Sequence, residues 1–159
     1  MKEVLLYQLK AVFSQADWFV PLGTAIEGIT PSQAAAKLNP LNNSIEEIVH
    51  HLIYWNELYL NRFKDPEFSF SEISNDETFK NPFGLTWDQA CKKIKNIFDE
   101  WAVCIAGSEE AMLNSTIANK GKTWNTMICN LISHTAYRTG QIITLRKEHN
   151  CWDPKKGVN

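Results

Sequence analysis

The chain has 159 residues, 44% of them hydrophobic, with six Trp and eight Phe and a formal net charge of −2. A length of this order fits one domain, 1–159, with a real core, burying roughly 70% of its extended-chain surface. Balanced charge without a Lys/Arg cluster excludes a nucleic-acid footprint. The absence of acidic runs argues against disorder, and no window approaches the ~18 uncharged apolar residues of a membrane span. The opening Met1–Lys10 stretch is too short and too charged in its apolar run for a signal peptide. Cys91, Cys104, Cys129 and Cys151 form no Cys-x-x-Cys pair and read as reduced thiols. The expectation is a cytoplasmic protein.

With only seven Gly and six Pro, and the prolines falling between periodic segments, the chain reads as helical. The first helix is predicted from about Lys2 toward Phe19, on the rhythm Val4, Leu5, Gln8, Leu9, Val12 and Phe13, with Pro21 kinking or restarting it. Thr30-Pro31-Ser32-Gln33 has the capping Thr, N1 proline and N3 Gln of a short helix start. Ser44-Ile45-Glu46-Glu47 is a capping box opening a second long helix to about Phe63. Residues 65 to about 85 carry four aromatics and two prolines with weak periodicity. This stretch is a crossing connection of roughly 21 residues, able to reach about 70 Å, so the helices it joins are free to run parallel. Thr86-Trp87-Asp88-Gln89 opens a third long helix with Cys91, Ile94, Ile97, Phe98, Trp101 and Ile105 inward, ending near Gly107. Ser108–Ala111 begins a short extra helix and Gly121 marks a turn. Thr123 caps the last long helix, to about Glu148. Its inner stripe is Met127, Leu131, His134, Arg138, Gln141, Ile142 and Leu145. Four amphipathic long helices make an all-α four-helix bundle.

Two inward stripes carry imidazoles. At about 100° per residue, His51 lies within about 60° of Ile48, Leu52, Trp55 and Leu58, on the buried side. His50 falls with Glu46, Tyr54 and Glu57 and is assigned to solvent. His149 is a favourable last-turn partner for the helix dipole. The last helix turns polar for two turns, at His134, Arg138 and Gln141, between apolar ends. A buried polar patch is costly unless paired, so this is where a site is expected. A lone helix histidine is more often a satisfied core residue than a ligand, and that bland reading stands beside the functional one. No Gly-rich phosphate loop and no His-Glu-x-x-His occurs. Ser133 and His134 diverge by about 100° and cannot form a nucleophile–base pair.

The Ser44–Glu57 stretch, Ser-Ile-Glu-Glu-Ile-Val-His-His-Leu-Ile-Tyr-Trp-Asn-Glu, resembles the second helix of the DinB-like/YfiT-like metalloenzyme family. The Ser133–Ile142 stretch, Ser-His-Thr-Ala-Tyr-Arg-Thr-Gly-Gln-Ile, resembles its fourth, and the tail with Trp152 and Pro154 also fits. The resemblance covers almost the whole chain. It implies an up-down-down-up bundle with a long connection between helices two and three. It also implies a divalent metal, zinc or nickel, held by one histidine on helix two and two on helix four. For activity it implies a metal-dependent transferase or hydrolase using a low-molecular-weight thiol, commonly in a homodimer. Carried over, His51 and His134 match two ligands, but the third position holds Arg138. A guanidinium has no lone pair to give and repels a dication. Two ligands fall short of the three that catalytic zinc keeps. Glu47, one turn before His51, is a candidate third ligand, though the capping box also claims it. Arg138 either replaces the metal's charge, binding a carboxylate or phosphate with Gln141 beside it or pairing with Glu47, or carries its head to the bundle rim. Two functions follow: a metal-free protein binding a small anionic ligand through Arg138, Gln141 and Glu47, or a metal-dependent enzyme using His51 and His134.

Overall fold

The protein is described by a computed structural model that covers residues 1–118 and 120–157. Its long helices are α1 (Lys2–Phe13), α4 (Ile45–Lys64), α5 (Trp87–Gly107) and α7 (Trp124–Glu148). Three helices of five residues each, α2 (Leu22–Ile26), α3 (Pro31–Ala35) and α6 (Glu110–Asn114), sit in the connections. Single 3₁₀ turns lie at Glu77–Phe79 and Pro154–Lys156. No helix among the described residues is long and apolar enough to cross a membrane.

The predicted caps form. Thr30, Ser44 and Thr86 each accept from the backbone N–H three residues on, and Gln33, Glu47 and Gln89 return the bond to the cap. Thr123 accepts from Thr126 N–H to start α7. Such caps satisfy backbone donors that a helix start otherwise leaves open.

Side-chain pairings give the helix directions. Phe13 stacks on Phe98, while Lys2 Nζ reaches Ala106 O and Ser108 O, so α1 and α5 are antiparallel. Lys93 pairs with Glu57 and Lys64 with Glu100, so α4 and α5 run parallel. His51 meets His134 and Phe63 meets Trp124, so α7 is antiparallel to α4. The order is therefore up-down-down-up, and the 65–85 connection makes the parallel pair by returning along α4. Each of α1 and α4 packs on both α5 and α7. Between them lies a core that includes Leu5, Val12, Leu52, Ile94, Trp101 and Ile128.

Three sequence expectations need correction. α1 stops at Phe13, not near Phe19. The apolar rhythm ends there, Ser14 and Gln15 both bond back to Lys10 O, and Asp17 turns back to the Tyr7 hydroxyl. Val4 and Gln8, placed on its inner stripe, face solvent. His50, assigned to solvent, is 1% exposed. The polar flank on which it was placed is not a surface: Tyr54, one turn along, is buried under Phe70 and Phe83, and its hydroxyl accepts from Ile73 N–H. The long connection thus covers a side of α4 that periodicity assigns to water.

Candidate functional site

His51 lies mid-helix on α4 and is 2% exposed. The antiparallel contact with α7 brings its Nε2 to 3.1 Å from Nε2 of His134. The 3₁₀ turn of the long connection supplies the other side of the ring. Thr78 Oγ1 lies 2.6 Å from His51 Nδ1 and 2.6 Å from Asn75 O. A carbonyl cannot donate, so the single hydroxyl proton goes to Asn75 O and His51 must donate from Nδ1. That fixes the His51 tautomer and leaves a lone pair on Nε2. Phe79, the next residue, stacks on the imidazole at 4.0 Å between centroids, and Trp55 meets it edge-on.

Arg138, one turn after His134, fills the third corner. Its Nε donates to His134 Nε2 at 3.3 Å, Nη2 to His51 Nε2 at 3.4 Å and Nη1 to Gln141 Oε1 at 2.9 Å. Its Cζ lies 5.2 Å from the Phe79 centroid and 5.4 Å from that of Tyr137. Each imidazole thus offers an Nε2 lone pair to one guanidinium, and the shared cation allows two acceptors to stand so close. Burial, followed by the neighbouring His134 and the Arg138 charge, lowers His51 to a pKa of about 3. Burial and then Arg138 lower His134 to about 4. Both rings are neutral at pH 7. Burial also lowers Arg138 from its ordinary value, because leaving water disfavours the charged form.

Arg138 is part of the wall of two cavities. One, of about 280 Å³, is lined by His51, Trp55, Tyr59, Asn75 and Asn130. The other, of about 600 Å³, lies between the 41–43 loop, Ile48 of α4, and Tyr137, Gln141, Leu145 and Glu148 of α7. Gln141 is placed where sequence puts it, and it holds the guanidinium. Glu47 is elsewhere: one oxygen accepts from Ser44 N–H, the other pairs with Lys37 at 2.7 Å, and neither cavity wall includes it. His149 is the C-cap residue of α7. Sequence reasoning misses Thr78 and Phe79. The signal for them is Ser74-Asn75-Asp76-Glu77, whose Ser74 and Glu77 cap each other just before the turn.

The donor set does not fit the metal that the family resemblance implies. Two imidazole lone pairs converge, but both already receive guanidinium N–H donors. Among the described residues no group of three or more His, Cys, Asp and Glu is placed to hold a metal ion. A dication here would also stand against the permanent charge of Arg138.

Fold and site together define a helical bundle with a polar pocket built on facing helices. The chain belongs to the DinB superfamily, whose family model matches residues 22–142. That match includes α4, the long connection and the site residues of α7. No curated protein and no solved structure matches the chain significantly.

Proposed function

We propose that this DinB-superfamily protein is a metal-free binding protein that holds a small anionic ligand at Arg138 in the bundle cavity. One observation carries the reading: Arg138 is a half-buried cation in the wall of two cavities, and no carboxylate among the described residues pairs with it. A guanidinium has five N–H donors. Three go to His134, His51 and Gln141, which leaves one N–H on each terminal nitrogen. That is the pair of donors that grips a carboxylate or phosphate. The neutral imidazoles accept from the arginine and so orient it without cancelling its charge. Their depressed basicity makes them poor proton carriers at pH 7, which favours binding over acid–base catalysis.

The test is titration of the purified full chain with acetate and with inorganic phosphate at low ionic strength, following Arg138 and His134 side-chain NMR signals. Saturable shifts that vanish in Arg138→Met are expected. Wild-type protein showing no saturable shift, or a methionine variant that binds as well, overturns the proposal. The second reading, a divalent-metal enzyme of the thiol-transferase or hydrolase kind, draws on the convergence of the two Nε2 lone pairs and on Thr78 fixing the His51 tautomer. Such outer hydrogen bonds are what ligating histidines use. Stoichiometric zinc or nickel in dialysed protein decides for it.

A further inference from the structure

The larger cavity has a polarity along its length that narrows the ligand. Arg138 and Gln141 stand at one end. Glu148 stands at the other, ten residues on along the same helix, an axial distance of about 15 Å. Its side chain is exposed, and no cation among the described residues pairs with it. Between the two charges the wall is mixed, with apolar Ile48 and Leu145 beside the polar Asn42, Asn43 and Thr144. Ile48 and Leu145 are 2% and 8% exposed and form its base. Tyr137 and Leu41, on the same cavity, are 62% and 92% exposed. Large apolar side chains left in water beside a cavity are area that a bound apolar group would cover.

Resting on the anion-binding reading, we propose that the ligand is an amphipathic monoanion, an alkyl or aryl carboxylate. Its carboxylate takes the two unspent N–H groups of Arg138, and its apolar body lies along Ile48 and Leu145 under Leu41 and Tyr137. Glu148 sets the charge count. A ligand with a second carboxylate at its far end would bring it toward a fixed negative charge within about a Debye length, so diacids are disfavoured.

The experiment is calorimetric titration of the full chain with acetate, octanoate and suberate, the eight-carbon diacid, at low ionic strength. Each buried methylene is worth about a factor of four in affinity. Burying half of the six methylenes that octanoate adds to acetate therefore makes it about 60-fold tighter. Suberate should bind at least about fivefold more weakly than octanoate. Glu148→Gln should strengthen suberate binding at least severalfold more than it strengthens octanoate binding. Leu41→Ser, at a position that contributes nothing to the core, should weaken octanoate severalfold and spare acetate. Acetate and octanoate binding within threefold of each other overturns the amphiphile and leaves the anion reading standing. Suberate matching octanoate in the wild type overturns the role of Glu148. No saturable binding of any of the three overturns the anion reading itself.

Discussion

Thr78→Val keeps the shape of a fully buried side chain and removes the hydroxyl that ties the long connection to α4. In the wild type that oxygen accepts from His51 Nδ1 at 2.6 Å and donates to Asn75 O at 2.6 Å. Valine orphans the imidazole N–H, and a buried donor without a partner costs about 1–3 kcal/mol. The Asn75 carbonyl loses less, because it still accepts from Thr78 N–H at 3.3 Å. The expected loss is about 2 kcal/mol, or about 4–8 °C in Tm for a chain of this size. A second consequence is specific to the site. With nothing to donate to at Nδ1, His51 is free to move its proton to Nε2, where it donates to His134 and competes with Arg138 Nε. Urea denaturation measures the first effect, and nitrogen-15 NMR of the imidazoles reads the second. Thr78→Ser is the control: it keeps the hydroxyl and should keep the Nδ1–H tautomer. A valine variant within about 0.5 kcal/mol of wild type, with His51 still protonated on Nδ1, refutes the argument.

Three further outcomes follow from the same geometry. Arg138→His removes the cation and supplies a third imidazole one turn after His134, so zinc or nickel affinity should rise by orders of magnitude. At metal a hundredfold above Kd the variant gains about 2.7 kcal/mol, visible as a melting shift that wild type lacks; calorimetry with no gain means the three positions do not converge. His51, His134 and His50 all have pKa values below the ordinary histidine value, chiefly through burial. Unfolding therefore takes up protons, and stability present above about pH 6.5 is lost as pH falls toward the folded values near 3 and 4. The slope approaches about 1.4 kcal/mol per pH unit for each histidine, and a flat urea midpoint from pH 7 to 5 contradicts it. His50→Leu should be neutral or stabilising by about 1 kcal/mol, because both ring nitrogens are buried without a hydrogen-bond partner; a clear loss of stability would mean the ring is satisfied after all.

The bundle was legible because its signals are local. The cap at Ser44, the cap at Thr86 and the 3.6-residue stripe of α5 depend only on neighbours along the chain. The length of one connection left α4 and α5 free to run parallel, and the family resemblance implied that they do. Where the reading failed, a distant segment decided. His50 looks solvent-facing on a helical wheel, yet it is buried, and residues 70–83 fold back over its flank-mate Tyr54. His51 and His134 were placed by periodicity, but the His51 tautomer rests on Thr78, which lies in a stretch with no periodic pattern. The buried Arg146 is a similar case. It donates to Ala25 O, Glu27 O and Cys151 O, joining α7 to the end of α2 and to the tail. Partners of that kind are set by tertiary packing, and one sequence does not name them.

The placement of Arg138 links ligand binding to the protonation of the histidines. Its charge is one reason that both imidazoles resist protonation. An anion docked on its free N–H groups offsets that charge, so the imidazoles become easier to protonate in the complex than in the free protein. By linkage, the affinity for an anion that stays ionised itself, such as an alkyl sulfonate, must then rise as pH falls through the range where the histidines of the complex titrate, whereas a carboxylate is neutralised by its own proton in that range. A metal in the same place would give the opposite dependence, because protons compete with it for the Nε2 lone pairs. With a permanently ionised sulfonate as the probe, the sign of the pH dependence of affinity therefore separates an arginine-centred site from a metal-centred one, without knowledge of the natural ligand.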